Sequence, residues 1–219
     1  MRGTPGTHAI VPVKPFERAK TRLARVLSPE ARRVLVSAMF LDVLAALRSA
    51  RAVQPLWVVS LDREILAQAK RMGAAPLEEK FDMGLNRALR FATRTAAERG
   101  AERVLILPSD IPLVTAADID ALVAASSRLK SERSVIAVPS REGTGTNALL
   151  RTPPSVIPPR FGVGSLRRHA REAARRGAAF RVRCSPRMEF DVDTPAELLL
   201  LARRARGHTA RALGRLGFL

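Results

Sequence analysis

The sequence predicts an α/β fold in which a mostly parallel central sheet is covered by helices on both faces. Short apolar runs alternate with helix-like segments along the chain, which is the element order of such folds. The 219 residues suit one domain, and 47% of them are hydrophobic, enough for a sizeable core. In these folds ligands collect outside the carboxyl ends of the strands. We therefore expect functional residues where the apolar runs end.

The predicted strands are the apolar runs that lie between polar loops. A Pro-rich loop, Pro153 to Pro159, follows the sixth of them. In chain order the strands are His8 to Val13, Leu56 to Ser60, Ala74 to Leu77, Val104 to Leu107, Ser134 to Val138, Ala148 to Arg151 and Ala179 to Arg183.

The predicted helices have apolar residues at helical spacing and recognisable ends. Ser28 and Thr194 are favoured N-caps and each precedes a proline, while Gly100 and Gly177 are favoured stop residues. The segment 207–219 is expected to be a basic tail that forms a helix packing on the domain or on a partner subunit, with membrane contact as the less favoured alternative. The helices are Ser28 to Leu47, Asp62 to Met72, Asp82 to Arg99, Thr115 to Ser127, Gly164 to Arg176 and Thr194 to Arg206.

The formal net charge of +18 has two interpretations. Clustered cations attract nucleic acid. A compositional bias is the favoured explanation, because the arginines are spread along the whole chain. The spread, and an aromatic content of only 4% for stacking on bases, make nucleic acid an unlikely partner. Small anionic substrates fit both interpretations.

The cysteine content and the apolar runs limit the class of protein further. Cys184 is the single cysteine, which excludes a disulfide within the chain and a cysteine-based zinc site. The first residues do not resemble a signal peptide, and no run is long enough to span a membrane. We expect a cytoplasmic protein without membrane contact.

A basic loop follows the first predicted strand, in the sequence V-P-V-K-P-F-E-R-A-K-T-R-L. Lysine offers phosphate a point charge and arginine a bidentate donor, so the loop suits a polyphosphate. It lacks the glycines of a Walker loop, and a solvated charged loop remains the alternative. Its cations are Lys14, Arg18, Lys20 and Arg22.

Three aspartates follow predicted strand ends. Asp110 lies in L-P-S-D-I-P-L, and Asp191 and Asp193 lie in D-V-D-T-P, two residues apart, so that both point the same way on an extended segment. Such carboxylates suit Mg²⁺, which takes one or two of them together with water and phosphate oxygens. Taken singly, Asp110 is also typical of a turn and Asp193 of a helix start. The three together favour a metal site.

Two glycine-rich segments are candidates for binding an anion. They are G-T-G-T-N, 143–147, and F-G-V-G-S, 161–165. The second opens a predicted helix, so its free backbone N–H groups and the Ser165 hydroxyl suit an anion, although Ser165 also suits a simple N-cap. In G-L-N-R-A-L, Asn86 is positioned to bind a base edge or is merely a polar residue in the first turn.

Taken in order, these segments resemble the guanylyltransferases that act on 2-phospho-L-lactate, phosphoenolpyruvate or 3-phospho-D-glycerate in the biosynthesis of the deazaflavin coenzyme factor 420. The resemblance runs from Val11 to Leu198. The glycine-rich N-terminal signature of the wider group, which includes molybdenum-cofactor guanylyltransferases, is absent, and this favours the narrower family. The resemblance implies one Rossmann-like nucleotidyltransferase domain, residues 1–206. The motifs that carry it are the basic loop, G-L-N-R-A-L, L-P-S-D-I-P-L, G-T-N-A-L, F-G-V-G-S and D-V-D-T-P.

The resemblance also implies Mg²⁺ as cofactor, and GTP and a small phosphorylated carboxylic acid as substrates. A homodimer is a separate expectation. The acceptor's phosphate oxygen would attack the α-phosphorus of GTP, so no protein nucleophile is needed, and the three histidines receive no role. Thr144 is an alternative to Thr146 in the doubled G-T. The implied site residues are Asp110, Asp191 and Asp193 for the metal; Thr146, Gly162 and Ser165 for the acid; and Lys14, Lys20, Arg22 and Asn86 for the nucleotide, with Lys14, Lys20, Arg22 and Asp110 also catalytic.

Two rival functions remain. One is a nucleotidyltransferase for another acceptor, such as a molybdopterin or a sugar phosphate. The other is a non-catalytic, basic nucleic-acid-binding protein, which would bind in a salt-sensitive way and be indifferent to GTP.

Overall fold

The structure, a computed structural model, describes residues 6–16, 19–129 and 131–219. Arg18, one of the cations expected to hold phosphate, lies outside the described residues. Seven strands form one sheet. They are β1 (Thr7–Pro12), β2 (Leu56–Ser60), β3 (Ala75–Glu78), β4 (Arg103–Ile106), β5 (Ser134–Pro139), β6 (Thr146–Thr152) and β7 (Ala179–Val182).

Helices connect most of these strands. A short 3-10 helix, Thr21–Arg25, lies inside the segment expected to be an irregular basic loop. The α-helices are α1 (Pro29–Ser49), α2 (Arg63–Arg71), α3 (Leu85–Glu98), α4 (Ala116–Ser127), α5 (Ser165–Arg175), α6 (Pro195–Ala202) and α7 (Gly207–Arg215).

The strand order is β3-β2-β1-β4-β6-β5-β7, and β6 alone runs antiparallel to its neighbours β4 and β5. The predicted fold class, a mostly parallel α/β sheet, is confirmed. The chain continues from β1 to β2 on one side, whereas β4 lies on the other. A crevice opens at such a switch point, outside the carboxyl ends of β1 and β4. Because β6 is antiparallel, its first residue, Thr146, lies at this same edge, opposite Pro139 at the end of β5.

Alternating strand residues build one hydrophobic core on each face of the sheet. Val11, Val58 and Leu105 face the core formed with α1, α2, α4, α6 and α7. Ile10 and Val104 face the opposite core, formed with α3 and α5. Burial on both faces explains why the strands read as continuous apolar runs in the sequence.

Two helix boundaries differ from the sequence prediction by three residues or more. Helix α3 begins at Leu85 rather than Asp82, because Asp82 accepts a hydrogen bond from the Gly84 N–H and Gly84 has a φ of 75°, so both belong to a turn. Helix α6 ends at Ala202 instead of Arg206. The chain then turns into a separate helix, α7.

Helix α7 packs against α1, so the basic segment after residue 206 contains a helix that contributes to the core. Its Leu213 is fully buried. Asp42 of α1 accepts the backbone N–H groups of His208 and Thr209 at 2.8 Å each. This carboxylate therefore caps the first turn of α7 from a distant part of the chain.

We expect Asp42→Ala to lower the free energy of unfolding by about 1–2 kcal/mol, since two N–H groups at a helix start lose their acceptor. Urea denaturation measures the difference. Glu98→Ala is the control and should stay within about 0.5 kcal/mol, because exposed ion pairs contribute little. Glu98 makes only a long, exposed contact with Arg94, at 3.9 Å. Equal stability of the two variants would contradict the capping role.

Among the described residues, none of the helices combines the length and apolar character needed to cross a membrane.

Candidate active site

A cleft with a cavity of about 730 Å³ opens outside the carboxyl ends of β1 and β4. Its walls include the basic loop after β1, the end of β2, the loop between β3 and α3, the turn after β4, and Asp193 before α6. This is the place where a switch point puts ligands. The polar residues that line it are Lys14, Lys20, Thr21, Arg22, Glu79, Asp82, Ser109, Asp110 and Asp193.

Lys20 lies at the centre of the charged part of this cleft. Its Nζ is 2.5 Å from Oδ2 of Asp110 and 2.5 Å from Oδ1 of Asp193. The Lys20 side chain is only 7% exposed, whereas those of Asp110 and Asp193 are 27% and 47% exposed. Burial lowers the pKa of Lys20, but the two facing carboxylates outweigh this effect, so the pKa lies above its ordinary value. The ammonium group is therefore charged at neutral pH.

The backbone at Lys20 is in the left-handed region, with φ 52° and ψ 42°. This conformation costs a residue with a Cβ about 1–2 kcal/mol. Strain of this kind persists where the surroundings fix it, and functional sites are common places for it. The turn directs a side chain from the basic loop back onto carboxylates that follow β4 and precede α6.

The third predicted aspartate, Asp191, lies beside this pair but has another partner. Its Oδ1 accepts a hydrogen bond from Nδ2 of Asn147 at 3.1 Å. The backbone N–H of Val192 donates to the Asp110 carbonyl at 3.2 Å, which joins D-V-D to the turn after β4. Burial raises the pKa of Asp191, the Asn147 bond opposes the rise, and the charges of Asp110 and Asp193 add to it.

The side chains of the predicted magnesium site are of the chemical type that binds cations. Asp110 and Asp193 already stabilise one positive charge between them, that of Lys20, and carboxylate oxygens are the ligands that Mg²⁺ prefers. In the part of the chain that the structure describes, no group of three or more carboxylate, histidine or cysteine side chains is arranged to hold a metal ion. Two carboxylates are enough for Mg²⁺ when water and phosphate complete its shell. The role of Asp191 as a ligand stays a prediction.

The predicted acceptor residues Thr146 and Ser165 are brought together, and His169 joins them. Ser165 Oγ donates to Thr146 Oγ1 at 3.1 Å, and His169 Nδ1 lies 3.1 Å from the same Thr146 oxygen. All three are buried. Burial, together with the nearby charges of Arg151, Arg168 and Arg160, lowers the pKa of His169 to about 3.

Gly162, the remaining predicted acceptor residue, lies in the turn before α5 with a φ of 114°. The helix begins with Gly164 as its N-cap and Ser165 as its first residue, so Ser165 is not the cap. Ser165 N–H donates to the Gly162 carbonyl and Leu166 N–H to the Thr144 carbonyl. The backbone groups expected to bind an anion at this helix start are thus partly used by the loops themselves.

Asn86, expected to contact a base edge, instead holds the loop before α5. Its Nδ2 donates to the Phe161 carbonyl at 3.0 Å, and its Oδ1 accepts the Phe161 N–H at 2.8 Å. Among the described residues, Asn86 is not one of those that line the cleft. Both polar atoms of its amide are engaged with backbone, so contact with a base stays a prediction that this geometry does not support.

Three site residues were missed in the sequence. Asn147 stood in the quoted G-T-N motif but received no role. The available signal was a polar amide inside a motif that carries the resemblance. His169 lies outside every motif, and only the fold brings it to Thr146. Glu79 lines the cleft; burial raises its pKa, Asp82 adds to the rise, and the Met83 N–H opposes it.

Solved structures share this fold. A nucleotidyl transferase from Methanothermobacter thermautotrophicus superposes with a TM-score of 0.65 at 15% sequence identity, over 94% of this chain and 98% of that one. A cytidylyltransferase from Leptospira borgpetersenii gives 0.62 at 11% identity, over 97% and 94%. The sheet, with its cleft at the switch point, is therefore the fold of nucleotidyltransferases.

The sequence relatives are more specific. Residues 7–218 match the family model described as "Guanylyl transferase CofC like". A phosphoenolpyruvate guanylyltransferase of Sphaerobacter thermophilus is 44% identical, over 91% of this chain and 94% of that protein. A 2-phospho-L-lactate guanylyltransferase of Methanothermobacter thermautotrophicus is 40% identical (94% and 88%), and a 3-phospho-D-glycerate guanylyltransferase of Phenylobacterium zucineum is 36% identical (94% and 94%). The chain belongs to the CofC-like guanylyl transferase family.

Proposed function

We propose that this protein transfers GMP from GTP to a phosphorylated three-carbon acid and releases pyrophosphate, as a step in the biosynthesis of the deazaflavin coenzyme. The observation that carries the proposal is the Lys20 ammonium, held 2.5 Å from both Asp110 and Asp193 in a cleft of about 730 Å³ at the switch point. Family membership supports it, since the three relatives named above carry the names of guanylyltransferases.

The basic loop binds the triphosphate in this proposal. Lys14 and Arg22 are exposed and line the cleft together with Lys20. Three cations from one short loop offset the charge of a triphosphate, and arginine adds paired donors in a plane. Ordinary surface lysines and arginines would not share one concave wall.

In this proposal the acceptor binds beside the cleft, near the start of β6. Thr146 and Ser165 supply hydroxyl groups there. Gly162, in the adjacent turn, lets the backbone approach a ligand closely. Hydroxyl and backbone donors suit the oxygens of a phosphate and a carboxylate.

The chemistry requires positioning and charge neutralisation. A phosphate oxygen of the acid forms a bond to the α-phosphorus of GTP while the bond from that phosphorus to the bridging oxygen breaks, and pyrophosphate leaves. Both reactants are anions, so the barrier falls when cations hold them in line. Lys20, Lys14 and Arg22 neutralise the triphosphate, while Asp110 and Asp193 orient Lys20.

We further propose that the reaction depends on Mg²⁺. Asp110 and Asp193 would hold the ion, which supplies charge neutralisation on the transferring phosphate when it is bound. A cytoplasmic location and a homodimer stay predictions from the sequence.

Pyrophosphate release from GTP, measured with each of the three phospho-acids in separate reactions, tests the proposal. We expect release with one acid to exceed that with the others at least tenfold, and to stop when EDTA removes divalent ions. Phosphoenolpyruvate is expected to be fastest, because the 44% identical relative is named for it. No release from folded protein with any of the acids would overturn the proposal, and release with a sugar phosphate alone would replace it.

A further inference from the structure

A backbone donor determines which ring nitrogen of His169 accepts a hydrogen bond and which one donates. The N–H of Arg160 donates to Nε2 of His169 at 2.9 Å. A backbone N–H can only donate, so Nε2 must accept and therefore carries no proton. The ring is neutral, consistent with its burial and its lowered pKa. The single ring proton consequently lies on Nδ1.

This tautomer determines whether the Thr146 hydroxyl donates or accepts a hydrogen bond. Nδ1–H of His169 donates to Thr146 Oγ1, and the Ser165 hydroxyl donates to the same oxygen, each at 3.1 Å. A hydroxyl oxygen has two lone pairs, and both are used in this way. The proton of the Thr146 hydroxyl is left to donate, and the hydrogen bonds of the described residues provide it with no acceptor.

We propose that His169 is a positioning residue that fixes the Thr146 hydroxyl as a hydrogen-bond donor to an oxyanion of the acceptor acid. The inference rests on the proposed function, because that function supplies the acid. A threonine hydroxyl ordinarily donates or accepts according to its partner. Here it can only donate, so it favours a carboxylate or phosphate oxygen over a hydroxyl or amine hydrogen.

The surroundings of His169 support a fixed ring. Phe161 packs edge-on against it, with ring centroids 5.1 Å apart. Arg160, whose N–H sets the tautomer, is bonded through its side chain to the largely buried Glu172, with Nε 3.1 Å from Oε1. The ring is therefore held by its neighbours on both sides, and rotation would break the bonds at both nitrogens.

Two variants separate this role from a purely structural one. In His169→Asn, the amide Nδ2 occupies the place of Nδ1 and still donates to Thr146, but the acceptor for Arg160 is lost. In His169→Gln, the amide oxygen can accept from Arg160, but the donor to Thr146 is lost. We expect His169→Gln to raise the KM for the acid at least tenfold while the KM for GTP stays within twofold of the wild-type value. The KM for the acid of His169→Asn should be at least threefold lower than that of His169→Gln.

A merely structural role predicts the opposite order, because only Gln preserves the bond that holds the Arg160 backbone; that order would overturn the inference. A second measurement does not depend on turnover: NMR of protein carrying ¹⁵N-labelled histidine should show His169 with its proton on Nδ1, and a proton on Nε2 would also overturn it. The proposed function fails separately, if wild-type protein releases no pyrophosphate with any phospho-acid.

Non-additivity is the final readout. Thr146→Val removes the same donor directly, so we expect the double variant Thr146→Val/His169→Gln to raise the KM for the acid no further than Thr146→Val alone. Multiplying effects would show that His169 acts independently of Thr146 and would contradict the proposal.

Discussion

Asp110→Asn is expected to lower kcat/KM for GMP transfer by about 10³-fold or more, in line with the loss of a group that organises developing charge. The amide keeps the size of the side chain but removes the negative charge that faces Lys20 at 2.5 Å. It also removes one of the carboxylates proposed to hold Mg²⁺. Steady-state pyrophosphate release measures the loss, and circular dichroism and thermal melting check the fold.

Glu98→Gln is the matched control, because it also removes one carboxylate charge but lies on the exposed face of α3. It should keep the wild-type rate. An Asp110→Asn variant that is folded and turns over like the Glu98→Gln control would show that Asp110 has no part in the reaction.

Lys20→Met should lower kcat/KM by about 10²-fold or more, since a preorganised charge in a water-poor site is a large contributor to rate. The KM for GTP should rise as well, because one of the three cations proposed to bind the triphosphate is lost. Stability should change by no more than about 1 kcal/mol, because exposed carboxylates lose little when a partner is removed. Asp110 and Asp193 are partly exposed and remain hydrated without the ammonium group.

Lys70→Met, on the exposed surface of α2, is the control for loss of one positive charge from a strongly basic protein. Its GTP kinetics should match the wild type. Equal losses in both variants would show that Lys20 acts only through net charge. Lys20→Arg keeps the charge but changes its shape, and we expect it to recover only part of the rate.

Much of the fold could be predicted because its signals are local. The strands are continuous apolar runs, and the N-caps Ser28 and Thr194, each followed by a proline, mark two helix starts that the structure contains. The direction of β6 had no local signal, since its residues are apolar whichever way the strand runs. The end of α6 was also hidden, because the turn that follows depends on α7 packing against Asp42 far away in the chain.

The site shows the same division. Asp110 follows β4 as expected, whereas Asp193 follows a turn rather than the expected strand end and precedes α6. That one lysine would lie between them was not foreseeable, because four cations in the loop looked alike in the sequence. Among the loop cations that the structure describes, Lys20 is the one with a left-handed backbone. Asn86 was assigned to the nucleotide from its place near a helix start, and the contact with Phe161, 75 residues away, is a tertiary one.

The single antiparallel strand also bears on how such enzymes can change. Since β6 enters the sheet at the edge where the reaction is proposed to occur, the residues proposed to bind the acceptor, Thr146, Gly162 and Ser165, come from one later stretch of the chain. The nucleotide end comes mostly from the chain before residue 111. The two specificities are thus encoded in different parts of the gene. Recombination between them can exchange one acid for another in a descendant enzyme while its way of holding the nucleotide is inherited intact.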